Sequence, residues 1–304
     1  MGHYEVGLPW LEEVPALPTN YGLALGRMKS TLKKLRSNPG LITAYDNIMQ
    51  SQIDTGVLEP VDKNTTTYER IHYLPHQPVL KMSSETTKLR TVYNAGAKMK
   101  KQDPCLNDCL FRGNVYAGQG LKEISAILAR VRLMPSILIL DLEKAFLQLS
   151  LKESARDVTR MLWPLQPMTE DTPKTYRFTK VTFGIKSSPF LLGAVIEHHL
   201  RKYPTQLAKY LDNNSYVDNF IIPLTSGEKL LSAYKESRKI FFDSGFNARQ
   251  YTSDLRKKLM QIPEEHRETR TQLSLLGVNW NTIQDTFQFD PPPAIDKITK
   301  RNVL

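Results

Sequence analysis

The apolar positions of the chain begin with helical spacing. Leu25, Met28, Leu32 and Leu35 share one side of a 3.6-residue repeat, as do Leu41, Tyr45, Ile48 and Met49, with Asn38-Pro39-Gly40 between the two sets. Two helices are therefore predicted within 20–52. Over 57–92 the rhythm changes: Tyr73-Leu74, Val79-Leu80 and Thr91-Val92-Tyr93 alternate with polar and proline-bearing turns, which predicts a small sheet. Helical spacing returns over 121–133 through Ile124, Ile127, Leu128 and Val131.

Three later segments matter more. Ile137 to Leu140 is a continuous apolar run ending at Asp141, the pattern of a strand covered on both faces with a carboxylate at its tip. Ser188 suits an N-cap and Pro189 a first helical position, opening a helix over 190–200 that is apolar around most of its circumference and should be buried. Tyr216-Val217 and Phe220-Ile221-Ile222 flank Asp218-Asn219, two residues that favour tight turns, so a hairpin is predicted with a carboxylate at its bend. A helix over 228–244 presents Leu230, Leu231, Tyr234 and Phe241 on one face and is closed by Gly245. Residues 294–304 read as a helical or linker fragment.

Composition narrows the setting. The 304 residues, 40% hydrophobic, suffice for one large domain or two modest ones. Lysine and arginine number 41 against 31 acids, for a net charge of +10 and a pI near 9.4, which favours a polyanionic partner. Arg27, Lys29, Lys33, Lys34 and Arg36 line the first helix, where a solvated face on a packed helix is favoured over a membrane surface. Lys81, Lys88, Arg90, Lys98, Lys100 and Lys101 gather with only Glu85 among them. Cys105 and Cys109 can build neither a disulfide framework nor a four-ligand zinc site, so a reducing, cytoplasmic setting is expected. No membrane partner is expected, because the start lacks a signal pattern and no apolar run reaches spanning length. Gly2 lacks the Ser or Thr that myristoylation wants, Val6 standing there.

Asp141 and Asp218 can share a site only if a sheet joins them. Two such carboxylates suit Mg²⁺, which takes hard oxygen ligands and keeps room for water and phosphate. Two ions about 3.5–4 Å apart can activate an attacking hydroxyl and stabilise a leaving oxygen in one in-line displacement.

The neighbouring residues sharpen this. Asp141-Leu142-Glu143-Lys144-Ala145-Phe146, then Thr182-Phe183-Gly184-Ile185-Lys186-Ser187-Ser188-Pro189, then Tyr216-Val217-Asp218-Asn219 resemble, in order, the three palm motifs of reverse transcriptases. Lys88-Leu89-Arg90 resembles the fingers segment that meets the incoming triphosphate, and Leu275-Leu276-Gly277-Val278-Asn279-Trp280 the primer grip. Val6-Gly7-Leu8-Pro9-Trp10, Leu106-Asn107-Asp108-Cys109-Leu110 and Ser187 to Leu192 are similar to the BEL/Pao group of LTR retrotransposons. The resemblance covers nearly the whole chain.

It implies an α+β right-hand polymerase fold of fingers and palm, an antiparallel palm sheet backed by helices, and a truncated thumb. The implied divisions are a helical prelude 1–56, fingers 57–134, palm 135–150, a fingers insertion 151–180, palm with primer grip 181–290, and 291–304 as the start of a truncated thumb or connection. The implied activity is RNA-directed DNA polymerisation on an RNA or DNA template with primer and deoxynucleoside triphosphates. Asp141 and Asp218 would hold two Mg²⁺ ions, Mn²⁺ able to stand in, with the Leu142 carbonyl as a further ligand. Arg90, with Lys88, would meet the triphosphate, the rigid guanidinium fork being the better phosphate ligand. Phe146 would exclude a ribose 2′-hydroxyl, Phe183-Gly184 would form the floor under the nascent base pair, and Leu276, Gly277 and Trp280 would contact the primer. No ribonuclease H or integrase sequence follows, though the chain could belong to a longer polyprotein.

Two positions depart from the pattern. Asn219 stands where most reverse transcriptases carry a second aspartate, and Asn94 where aspartate is usual. One lost charge about 4 Å from a metal is worth at most roughly 4 kcal/mol per unit of cation charge at an effective dielectric near 20, so metal affinity should fall more than chemistry. A catalytically impaired or domesticated remnant that only binds nucleic acid is the alternative. Asp54-Thr55-Gly56 spells an aspartic-protease triplet but follows a helix rather than a strand, and His72, His76, His198 and His199 read as structural or surface residues.

Overall fold

Both N-terminal helices form, as Tyr21–Arg36 and Pro39–Asp54. The Asn38 side chain accepts from the Leu41 N–H at 3.1 Å, and Pro39 sits in the first turn, where a missing N–H costs nothing. The computed structural model describes residues 3–62, 65, 68–80, 89–113 and 124–288. They fall into two compact units threaded repeatedly by the chain: Met1–Lys122, Glu143–Pro204 and Ile240–Asn247 make the first, and Glu123–Leu142, Thr205–Lys239 and Ala248–Leu304 the second. The segment 291–304, Lys81, Glu85 and Lys88 lie outside the described residues.

In the first unit the helices bury Met28, Leu32, Leu35, Ile42, Tyr45 and Met49, while Arg27, Lys29, Lys33 and Lys34 stay exposed. Their basic side is a solvated face, except that Arg36 donates to the carbonyls of Pro167 and Glu170 and pairs with Asp171 at 2.8 Å. The strand-rich region appears as two sheets. Leu58–Pro60, Lys174–Phe178 and Arg160–Trp163 form one, and His76–Leu80 pairs with Leu89–Tyr93 in the other. A buried aromatic cluster of Tyr45, His76, Tyr93, Trp163 and Phe178 gathers here. The His76 Nε2–H donates to the Leu162 carbonyl at 2.9 Å, so its Nδ1 accepts from the Tyr45 hydroxyl at 2.7 Å.

The predicted buried helix forms as Ser188–Leu200, with His198 its one exposed side chain. Its cap differs from expectation. Ser187 is the N-cap residue and Ser188 the first helical one, because the Ser188 hydroxyl is drawn away to the Thr182 carbonyl at 2.8 Å.

The second unit is built on an antiparallel sheet in the order Ala248–Ser253, Ser136–Leu142, Asn219–Leu224, Ser215–Tyr216. The apolar run 137–140 is its inner strand. Ile137, Ile139 and Ile221 pack with Ile127 and Val131 of the helix Ile124–Arg132 and with Leu275 and Trp280, while Leu138, Leu140, Phe220 and Ile222 are buried on the other face. The predicted helix 228–244 appears as a 3₁₀ turn, Gly227–Lys229, followed by Leu230–Asp243. Gly245, at φ 82°, ends it, and the Phe246 N–H closes on the Phe241 carbonyl at 3.0 Å. Among the described residues no helix is long and apolar enough to cross a membrane.

Burial pushes the His76 pKa down to about 4 against the opposing bond to Leu162, and burial also lowers His72. A depressed imidazole stabilises the fold fully above its unfolded value of about 6.5 and progressively less toward its folded value. Urea unfolding should therefore weaken from pH 6.5 down to pH 4, by up to ~1.4 kcal/mol per pH unit for this group. His76→Phe should flatten that limb, and an unchanged slope would refute the assignment.

Candidate active site

The hairpin turns one residue earlier than expected. Tyr216 pairs with Asn219, so Val217 and Asp218 are the two loop residues and Asn219 opens the strand. Val217 takes φ 57°, which costs a branched side chain about 1–2 kcal/mol and persists only where the surroundings over-determine it. Asp218 stays at the bend. Its carbonyl accepts from the Leu142 N–H at 3.0 Å, and Asn219 lies opposite Asp141 in the ladder. The sheet thus brings Asp141, Leu142, Asp218 and Asn219 together.

Asp218 is half-buried, and desolvation raises its pKa. Its own backbone N–H and the Asn219 amide oppose that shift, the amide nitrogen reaching Oδ1 at 3.0 Å. Asn219 therefore turns its donor end to the neighbouring carboxylate. Among the described residues no three His, Cys, Asp or Glu side chains gather as a metal-holding group. Two carboxylates and main-chain oxygen leave most positions to water and phosphate, a donor set that fits Mg²⁺ better than a closed protein cage.

No motif marks Arg249, yet it stands directly across from Asp141 on the other neighbouring strand, on the same face. Only long-range pairing reveals it. A bulge follows at Gln250, φ 53°, beside a cavity of about 250 Å³ lined by Asp141, Asn219, Gln250, Glu268, Arg270 and Ser274. Burial alone would raise Glu268, but the bonds from Arg270, at 2.7 and 3.1 Å, outweigh it and hold the carboxyl below its usual range.

The segment 275–280 is a hairpin joining Gln272–Leu275 to Val278–Asn281. Leu276 and Gly277 form its tip, with φ 51° and 86°, the two positive values of a type I′ turn. Against the expectation that Trp280 contacts the primer, it is fully buried and its indole N–H donates to Asp285 at 2.9 Å, so it anchors the hairpin rather than offering a surface.

In the first unit, Arg90, Phe183 and Gly184 line one cavity of about 560 Å³ together with Gln52, Tyr93 and Lys144. Phe146 is buried in the 3₁₀ turn Ala145–Gln148 and meets Phe183 edge-on, ring centroids 4.8 Å apart, while Phe183 is 56% exposed. Gly184 has φ 93°, and a Cβ there would fall 2.1 Å from the Tyr93 carbonyl oxygen. Asn107 pins this turn, its Nδ2 donating to the Gly184 carbonyl at 3.0 Å and its Oδ1 accepting from the Lys186 N–H at 2.8 Å. Its motif was visible in the sequence, but its task was not. Asn94 forms an Asx turn, accepting from the Gly96 N–H at 3.0 Å, and Lys98 is taken up by Asp108 at 2.7 Å. Asp54 ends a helix, and His72, His76 and His199 hydrogen-bond to backbone carbonyls.

Against known proteins, the family profile "Reverse transcriptase (RNA-dependent DNA polymerase)" matches residues 85–278. The foamy viral protease-reverse transcriptase in complex with an RNA/DNA hybrid is similar in fold, with TM-score 0.51 and 16% identity over 90% of this chain and 28% of that one. A selenomethionine-labelled mutant of the Prototype Foamy Virus enzyme gives 0.53 and 17% over 83% and 26%. The foamy viral protein in complex with double-stranded DNA gives 0.52 and 16% over 90% and 36%. The chain thus spans only about a quarter to a third of these solved chains. No curated protein matches it.

Gly184→Ala should lower unfolding free energy by about 2–3 kcal/mol, since the methyl meets backbone and the left-handed φ is strained. Gly193→Ala, inside the helix Ser188–Leu200 with open space at its Cβ, should be neutral or raise stability by roughly 0.5–1 kcal/mol. Equal effects in chemical denaturation would contradict the close approach at Gly184.

Proposed function

Because the chain belongs to the reverse transcriptase (RNA-dependent DNA polymerase) family, whose members are nucleotidyltransferases, we propose that it extends a primer on an RNA or DNA template with deoxynucleoside triphosphates. The observation that carries this reading is the ladder that sets Asn219 against Asp141 and bonds Asp218 to Leu142. Two Mg²⁺ ions, replaceable by Mn²⁺, supply Lewis-acid activation and charge neutralisation when bound. Asp141, Asp218 and the Leu142 carbonyl would hold them, and the Asn219 amide fixes the rotamer of Asp218.

Arg90, with Lys88, takes the triphosphate. Phe146 backs the Phe183 ring, and the pair excludes the ribose 2′-hydroxyl by bulk. Gly184 keeps the floor thin enough for a base pair to approach. The tip Leu276-Gly277 meets the primer, with Trp280 holding the hairpin in place. The quoted motifs favour a BEL/Pao-type element acting in the cytoplasm within a longer polyprotein.

Primer extension on an RNA template with Mg²⁺ and then Mn²⁺ tests the proposal. Wild type should extend, and Asp218→Ala and Asp141→Ala should fall to background. Wild type equal to Asp218→Ala, with template binding retained, would instead establish the impaired nucleic-acid-binding remnant, which the missing charge at Asn219 favours. Asn219→Asp should lower the half-saturating Mg²⁺ concentration more than it changes kcat, because it adds charge without moving the backbone.

A further inference from the structure

We propose that the exposed face of the first helix, Tyr21–Arg36, is a docking surface for the backbone of a single RNA strand; only the naming of RNA as the polyanion rests on the polymerase reading. The chain holds no acid from Val14 to Tyr45. At 100° per residue, Met28, Thr31, Leu32 and Leu35 point into the core, and the exposed arc carries two rows of cations, Arg27 with Lys34 and Lys29 with Lys33. None of these four forms an ion pair with a described residue, whereas Arg36 of the same helix is taken up by Asp171. A helix dipole favours cations in the last turn, which accounts for Lys33 and Lys34 but not for Arg27 and Lys29. The helix precedes the segment 85–278 matched by the family profile, and none of its residues lines the cavities beside Asp141 or Arg90.

Between the two rows runs a strip of small residues, Gly22, Gly26 and Ser30, four apart in sequence and so nearly in line along the helix. A Cβ on Gly22 or Gly26 would meet nothing within 4 Å, so packing inside the chain does not require glycine at either position. Glycine in a helix interior is destabilising relative to alanine, and at Gly26 the close approach of an external partner supplies the reason that the fold does not. Cations on both sides of a shallow furrow suit a phosphate backbone, and no long polar side chain stands in the furrow to read bases. Met28, Leu32 and Leu35 are buried in the core, which leaves the exposed arc without the apolar stripe that a bilayer surface would take. Asn20, the N-cap residue, donates from Nδ2 to the Ala97 carbonyl at 3.0 Å, and so ties the loop bearing the exposed Lys100 and Lys101 to the start of this helix.

The test uses the full chain with EDTA present and an unprimed RNA oligonucleotide as the probe, read by fluorescence anisotropy across a salt series. Arg27→Gln, Lys29→Gln, Lys33→Gln and Lys34→Gln combined should weaken binding at least about tenfold and flatten the slope of log affinity against log salt by about 3, four phosphate contacts at about 0.7 each. The same loss of charge at Lys209, Lys235, Lys239 and Lys257, exposed lysines of the second unit, should leave affinity within about twofold. Gly26→Leu should weaken RNA binding about fivefold while its urea midpoint equals or exceeds that of wild type, a separation that a merely structural glycine would not show. In primer extension on a short template the helix variant should keep kcat within about twofold, because its cations touch no reacting atom. Equal affinity and salt slope in the two fourfold variants, or RNA binding by Gly26→Leu equal to wild type, overturns the proposal. So does a wild type that binds vesicles of anionic phospholipid but not RNA. If wild type extends no primer while the helix variant alone loses RNA, the polymerase reading falls and the surface stands.

Discussion

The register between Ser136–Leu142 and Asn219–Leu224 is the constraint on which the second unit depends. Six paired positions run from Asn219 against Asp141 to Leu224 against Ser136. A slip of one residue would turn every side chain of one strand to the wrong face. Both faces are apolar here, with Leu138, Leu140, Phe220 and Ile222 on one and Ile139 and Ile221 on the other. Each such side chain is worth about 1.5–3 kcal/mol when buried, against about 1 kcal/mol for a ladder hydrogen bond, so packing decides the register. The positions of the two aspartates follow from hydrophobic matching several residues away.

Where the site segments leave regular structure, the chain accepts strain. Lys144, Val217, Gln250 and Leu276 all take positive φ without being glycine, at a strand exit, a hairpin bend, a bulge and a hairpin tip. Glycine at any of them would relax the backbone but widen the choice of conformations. A substituted residue in a left-handed well has fewer alternatives once its neighbours are packed, so these turns are specified by the elements they join. Gly184 is the opposite case, where the Tyr93 carbonyl leaves no room for any side chain.

The sequence made local periodicity legible because helices and strands repeat over a few residues. The helices of 21–54, the strand before Asp141 and the hairpin around Asp218 were visible on that basis. Competition among neighbouring polar groups was less so. Ser188 resembled a cap until its hydroxyl found Thr182, and Asp218-Asn219 resembled a two-residue bend until Asn219 paired across the sheet. Interactions distant along the chain left no local trace. Arg249 opposite Asp141, Asn107 beneath Gly184, and the full burial of Trp280 depend on which segments meet.

The residue that departs most from the motif also shows how charge and geometry can be separated. An aspartate at 219 would add a negative charge between Asp141 on the neighbouring strand and Asp218 at the bend, and each of the three acids would raise the cost of ionising the others. Asparagine keeps the shape and donates a hydrogen bond to Asp218, favouring its ionised form where burial disfavours it. With Arg249 facing Asp141, the local balance shifts further from negative. The hairpin therefore holds the Asp218 carboxylate in place through a neutral neighbour, with less negative charge around it than a second aspartate would supply.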